Sequence, residues 1–265
     1  MKKLFLALSI VIGHSACAQN TSFFRSFNND SADLSVDAFQ KGSGDYYLLS
    51  NTNSAGHLDF QVTKTNGLGL ALWSFTYGGS RDDMATAMAP TADNGVVICG
   101  YTEGLTSARD AFVTKINSAG VVQWSRTILT DSVEQFSDIT ESINGDIYAT
   151  GFTNEDTTGL NVLVARLTNS GSVVWANHYG GAGDDIGSAL IEDQLGRIMV
   201  VGSTMNDSVT IGPTGDKDIS ILTLNSGGAV LVYKNVGTAT EEYATTILQE
   251  SANEYIVGGN IGFGG

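Results

Sequence analysis

One eleven-residue element constrains this chain more than any other. Trp73-Ser-Phe-Thr-Tyr77-Gly-Gly-Ser-Arg-Asp82-Asp83 returns as Trp175-Ala-Asn-His-Tyr179-Gly-Gly-Ala-Gly-Asp184-Asp185. A worn copy begins at Trp124, and a fainter one surrounds Tyr233 to Glu242. The tryptophans at 73, 124 and 175 are 51 residues apart, and so are Gly100, Gly151 and Gly202. Gly259 answers Gly202 after 57 residues, the extra six falling before Asp218. A chain with such a period folds as an array of like units, none of which can bury its apolar face alone.

Each unit carries four strand-like pieces. The first reads Asp59-Phe-Gln-Val-Thr-Lys64, Asp110-Ala-Phe-Val-Thr-Lys115, Asn161-Val-Leu-Val-Ala-Arg166 or Asp218-Ile-Ser-Ile. Apolar residues alternate in it, the period of a strand. Turns such as Asn117-Ser-Ala-Gly120 follow, with residues that tolerate positive φ. The second piece runs through the tryptophan and ends at Gly78-Gly79 or Gly180-Gly181, and the third starts after the acidic pair. The fourth reads Val96-Val-Ile-Cys-Gly100 or Ile198-Met-Val-Val-Gly202, apolar enough to be covered on both faces.

Four strands repeated near 50 residues predict an all-β chain, a β-propeller of four-stranded blades. Drawn from the repeat, the blades run about 59–103, 110–155, 161–205 and 218–265, with a partial blade over 23–50 lacking its first strand. That makes about five blades within 19–265. The last unit stops where the next Asp-h-h-Val strand is due, so the sequence reads as truncated or as part of a longer propeller.

The consensus Asp-h-h-Val-x-Lys, then Trp-x-x-x-Tyr-Gly-Gly-x-x-x-Asp, then Asp-x-Gly-h-h-h-x-Gly-x-Thr resembles the SBBP and delta-60 repeats of secreted Bacteroidetes propeller proteins. The resemblance covers residues 23–265. It implies secretion, often by a type IX route with a C-terminal sorting domain that this sequence does not contain.

The N-terminus reads as a signal peptide over 1–18: Lys2 and Lys3, an apolar run from Leu4 to Gly13 too short to span a bilayer, and Ala16-Cys17-Ala18 as cleavage site. Acylation at Cys17 is the less favoured processing, because His14 stands where such sites carry an aliphatic residue. The expected location is therefore extracellular or at the cell surface, with no transmembrane span. Cleavage after Ala18 leaves 11 basic against 28 acidic residues, a net charge of −17. That excludes a nucleic-acid partner, whose phosphates it repels. Cys99, the one cysteine left, sits in an apolar strand and reads as a buried, inert thiol.

The recurring residues read as structural. A catalytic site is made once, whereas a turn is made in every blade. Asp83, Glu134, Asp185 and Glu242 are thus expected to cap turns rather than act as acid and base. Trp73, Trp124, Trp175, Tyr77 and Tyr179 are expected to pack between blades rather than stack on sugars, and Gly100, Gly151, Gly202 and Gly259 to mark the fourth piece. Calcium is weighed for the acidic pairs, but no Asp-x-Asp-x-Asp-Gly loop supports it, and no cofactor is assigned. His57 and His178 hold unrelated places in their units, and no Gly-x-Ser-x-Gly elbow occurs.

These features favour a non-catalytic module that binds a glycan or an extracellular protein, or displays a surface. The long loop with Ser203, Asn206, Asp207, Asp216 and Lys217 is the candidate binding segment. Two alternatives stand beside it. One is a propeller enzyme on polysaccharide or alcohol, since the Gly-x-x-x-Trp element faintly resembles the quinoprotein tryptophan motif. The other is a structural spacer for a further domain.

Overall fold

The structure, a computed structural model, describes residues 33–54, 56–103, 109–128, 132–154, 159–205, 210–211 and 217–262. The signal peptide and the first ten residues of the partial blade lie outside these. The described residues form strands joined by turns. β1 (Asp33–Gln40), β2 (Tyr46–Ser54), β3 (His57–Thr65) and β4 (Ala71–Tyr77) make one antiparallel sheet in chain order. β5 (Asp83–Pro90), β6 (Val96–Glu103), β7 (Arg109–Ile116) and β8 (Val122–Ile128) make the next. β9 (Glu134–Glu141), β10 (Ile147–Thr153), β11 (Asn161–Leu167) and β12 (Val173–Tyr179) make the third.

The fourth sheet comprises β13 (Asp185–Glu192), β14 (Ile198–Thr204), β16 (Asp218–Leu224) and β17 (Val230–Val236). A two-residue strand, β15 (Thr210–Ile211), adds to its outer edge, parallel to β17. β18 (Glu242–Ser251) and β19 (Glu254–Ile261) form a two-stranded fifth sheet.

Successive sheets stack face to face. Their first strands, β1, β5, β9, β13 and β18, adjoin one another in turn. The core divides into four clusters, one per joint. Tyr47, Phe60, Val62, Ile98 and Phe112 fill the first joint, and Cys99, Val113, Phe136, Ile147 and Leu167 the second. Val164, Ile198, Leu222 and Leu224 fill the third, and Val201, Ala244 and Ile247 the fourth. Radial stacking of meander sheets about their first strands is a β-propeller. Second and third strands are sandwiched and buried, whereas outer strands such as β12 expose most of their residues.

The blades are out of phase with the ranges drawn from the repeat. The range 59–103 joins β3 and β4 of one sheet to β5 and β6 of the next, and 110–155 and 161–205 straddle sheets in the same way. Residues 33–50 do not belong to a blade lacking its first strand; β1 and β2 open a complete sheet that β3 and β4 finish. The range 218–265 likewise splits, with β16 and β17 closing the fourth blade and the two described strands β18 and β19 belonging to the fifth. The reason is local. Gly78 and Gly180 interrupt pairing and carry the chain across to the next sheet, whereas the piece after Gly100 folds straight back on its predecessor as a hairpin. Periodicity fixes unit length and leaves the phase open.

Candidate functional site

Three kinds of joint recur between blades. In the first, an outer-strand tryptophan donates its indole N–H to a turn of the following blade. Trp73 reaches the Ser118 carbonyl at 3.2 Å, Trp124 that of Asn169 at 2.9 Å, and Trp175 that of Ser226 at 3.1 Å. Tyr77 and Tyr179 add hydroxyl bonds to the carbonyls of Gly120 and Gly228, both at 2.7 Å. Burial pushes the Tyr77 hydroxyl up to about 12, so it remains a donor at any working pH. The receiving turns are tied by an Asn side chain in two blades. Asn117 Oδ1 accepts the amides of Ala119 and Val121, and Asn225 Oδ1 those of Gly227 and Ala229.

In the second joint, a carboxylate at the head of β5, β13 and β18 caps the crossover before it. Asp83 accepts the Gly79 amide at 2.6 Å, Asp185 that of Gly181 at 2.8 Å and Glu242 that of Thr238 at 2.9 Å. The Glu242 carboxylate also accepts the Thr238 and Thr240 hydroxyls. These hydroxyls and the Thr238 amide hold it below the usual range. Glu134 is buried and accepts the Thr153 hydroxyl at 3.3 Å. Asp185 is fully buried and receives the Tyr233 hydroxyl at 3.1 Å as well. The neighbouring Asp82 and Asp184 accept the amides of Leu58 and Leu160, so both acids of the pair are used by backbone.

The third joint is cationic, and each cation is first held by a carboxylate in a turn of its own blade: Lys64 by Asp45 at 3.2 Å, Lys115 by Asp93 at 2.8 Å, and Arg166 by Asp146 at 2.6 Å. Lys115 also donates to Asn169, and Arg166 to the Ser226 carbonyl at 2.7 Å, the same turns that receive Trp124 and Trp175. Burial works to raise the Asp93 carboxyl, but Lys115, the Thr91 hydroxyl and the Gly95 amide overcome it and hold the group down to about 2. The sequence pattern contains these cations, yet nothing in their spacing tells which blade their partners occupy.

The recurring glycines serve two contacts. Gly100, Gly151, Gly202 and Gly259 each face a bulge or its edge in the inner strand. A Cβ on them would stand 1.8–2.2 Å from a carbonyl oxygen of that strand. Gly78, Gly180 and Gly237 instead admit the side chains of Asp59, Asn161 and Asp218, which a Cβ would meet within 2.3 Å. Cys99 is fully buried, and burial pushes its thiol far up, so it stays protonated.

The candidate binding loop divides. Ser203 lies within β14 and is 5% exposed, paired between β13 and β16, so it is not a ligand-facing residue. Lys217 is half-buried and offers its carbonyl to Glu242. Asn206, Asp207 and Asp216 lie outside the described residues.

Two grooves open where outer strands of neighbouring blades diverge. The first, of about 610 Å³, lies between blades one and two. Phe60 and Phe112 floor it, stacked at 5.4 Å, and Tyr77 stacks on Phe60 at 5.4 Å. Gly78-Gly79, Thr76, Val122 and Thr127 also line it. The second, of about 450 Å³, lies between blades three and four, beside Tyr179 and Gly180-Gly181, with His178, Asn161, Val230 and Tyr233. Val122 and Val230 are equivalent, each the first residue of an outer strand. Sequence reasoning missed both grooves, because their walls come from segments 45 or more residues apart. The surviving Tyr-Gly-Gly triplets mark them in retrospect. Among the described residues no group of three or more His, Cys, Asp or Glu is placed to hold a metal. No described helix is long and apolar enough to cross a membrane.

No family model matches the chain. It is 22% identical over 199 residues to an uncharacterized WD repeat-containing protein, L264, of Acanthamoeba polyphaga mimivirus. That match takes in 60% of this chain and only 14% of the curated relative's length. Among solved structures, a subtype N10 neuraminidase-like protein of A/little yellow-shouldered bat/Guatemala/060/2010 superposes with a TM-score of 0.49. Identity is 11%, over 85% of this chain and 72% of that one. A eukaryotic initiation factor gives a TM-score of 0.26 at 8% identity, over 84% and 85% of the two chains. The sheet order and stacking define the class: a repeat β-propeller with blades of near-constant length.

Proposed function

We propose that this chain is a secreted, non-catalytic propeller that serves as a binding or display module, of the kind the SBBP-type repeat resemblance implies. The observation that carries this reading is the engagement of the recurring polar side chains in blade joints. The Asp83, Asp185 and Glu242 carboxylates and the three indoles are bonded to backbone, so they support a rigid scaffold rather than turnover. Two grooves between described blades stay open, each large enough for a small ligand or part of a longer one. The signal-like N-terminus and the acidic balance support an extracellular setting.

The test is to pass the chain from Gln19 to Gly265 over immobilised polysaccharides and extracellular matrix proteins, and to assay the eluate for released reducing ends and oxidised alcohols. Retention without product is expected. Turnover of any substrate contradicts the non-catalytic reading.

A further inference from the structure

Among the described residues the fifth blade presents an open edge. In the first four blades a third strand, β3, β7, β11 or β16, pairs with the second, whereas no described strand pairs with the outer edge of β19. The neighbouring blade shows the same gap. β16 turns Ile219 and Ile221 toward the fifth blade, and both stay half-buried. Their counterparts Phe60 and Val62, Ala111 and Val113, and Val162 and Val164 are 4% exposed or less, packed under the third strand of the blade that follows. The edge and these two isoleucines thus form a slot one strand wide. Gly262 donates its amide to Glu241, beside β18. Residues alternate along a strand, so Tyr255, Val257, Gly259 and Ile261 turn their backbone groups to the open edge.

We propose that this edge docks an extended basic segment of a partner protein, added antiparallel as the third strand of the blade. This deepens the binding reading above and rests on it. Main-chain bonding at an exposed edge supplies affinity, and the side chains beside it supply specificity. Glu254 sets the charge. It holds the place of Asp45 and Asp146, which grip Lys64 and Arg166 of their third strands. Glu254 is exposed and accepts the Ser251 hydroxyl at 2.8 Å on one oxygen. Ile256 follows in the place of Tyr47 and Tyr148, on whose rings Lys64 and Arg166 rest, and is 49% exposed. The fourth blade, with Arg197 and Thr223 at the paired positions, is built without the ion pair. Register in the first and third blades sets Lys64 opposite Tyr47 and Val62 opposite Leu49, and Arg166 opposite Tyr148 and Val164 opposite Thr150. The incoming base therefore falls opposite Ile256, with an apolar residue two positions before it opposite Gly258. The residues on either side of the base turn to Ile219 and Ile221, as Ile116 of β7 turns to the first blade. A net charge of −15 sets copies of this chain against one another and favours a basic partner.

The test titrates the chain from Gln19 to Gly265 with a labelled peptide Asp-Ala-Phe-Val-Thr-Lys-Ile, the sequence of residues 110–116, and with its Lys115→Glu form. Fluorescence anisotropy reads affinity, and amide spectra read location. The lysine peptide is expected to bind one per chain, to shift the amides of Tyr255, Val257, Gly259 and Ile261, and to bind about fivefold tighter than the glutamate form. Glu254→Lys is expected to invert that preference. Val257→Pro removes an edge amide while leaving the β18 ladder in place, and is expected to abolish binding. A preference that Glu254→Lys leaves unchanged, or shifts confined elsewhere, overturns the location. A dimer of the parent chain in sedimentation, dispersed by Val257→Pro, assigns the edge to a second copy and overturns the partner. Binding of neither peptide overturns docking by strand addition, and retention on matrix proteins in that case leaves the binding reading intact.

Discussion

Replacing Gly171 with alanine tests the tryptophan joint against a matched control. Gly171 closes the turn before β12 with φ +83°, and so does Gly196 before β14 with φ +74°. An alanine at either pays for the left-handed conformation, about 1–2 kcal/mol. The surroundings differ. A Cβ at Gly196 meets nothing within 4 Å, whereas one at Gly171 lies 2.6–2.9 Å from ring atoms of Trp124. The indole is pinned by its bond to Asn169 at 2.9 Å, so moving the ring aside loses that bond, worth about 1 kcal/mol. It also disturbs packing on the second core cluster, which adds roughly 1–3 kcal/mol for overfilling. Gly171→Ala should therefore cost roughly 2–4 kcal/mol more than Gly196→Ala. Urea unfolding followed by tryptophan fluorescence measures the difference, and in a Trp124→Ala background it should shrink toward zero. Equal costs for the two glycine variants in the parent chain refute the joint.

Gly151→Ala forces a methyl to within 1.9 Å of the Gln135 carbonyl and 2.7 Å of the Phe136 Cα. Because both are backbone, the loss should exceed the roughly 1–3 kcal/mol of ordinary overpacking, read as a lowered melting temperature. Asp138 gives a pH dependence of the less common sign. Burial pushes its carboxyl up to about 6, with the Leu190 and Ile139 amides opposing and Asp37 adding to the rise. The folded chain thus holds this proton more tightly than the unfolded one. Its contribution to stability is present below about pH 4 and is lost as pH rises through about 6. Asp138→Asn should remove the change between pH 4 and 6, measured by thermal unfolding across pH, at a pH-independent cost because its Nδ2 cannot accept the Ile139 or Leu190 amide that a carboxylate oxygen takes. An unchanged profile contradicts the assignment.

The architecture was legible because apolar alternation and a 51-residue spacing are local properties of the sequence. Phase was not, since Val96–Glu103 reads equally well as the end of one unit or the second strand of another. Only the hairpin with β7 decides between them. The joints were half legible. Trp124 and Lys115 stand in the repeat, but their shared partner, Asn169, lies 45 and 54 residues further on. The grooves were the least legible feature. Tyr77 and Val122 come to line one groove only because consecutive sheets stack on one another. The pattern that marks them, Tyr-Gly-Gly in blades one and three and Ile-Leu-Thr in blade two, was in view without a geometry to interpret it.

The most direct measurement is the nuclear Overhauser contact of the Trp124 indole N–H in a labelled sample. If outer strands join forward to the next blade, this proton is slow to exchange and shows contacts to residues 169–171, in the turn between β11 and β12. Contacts to residues 117–120 instead, the turn of its own blade, contradict the stacked propeller.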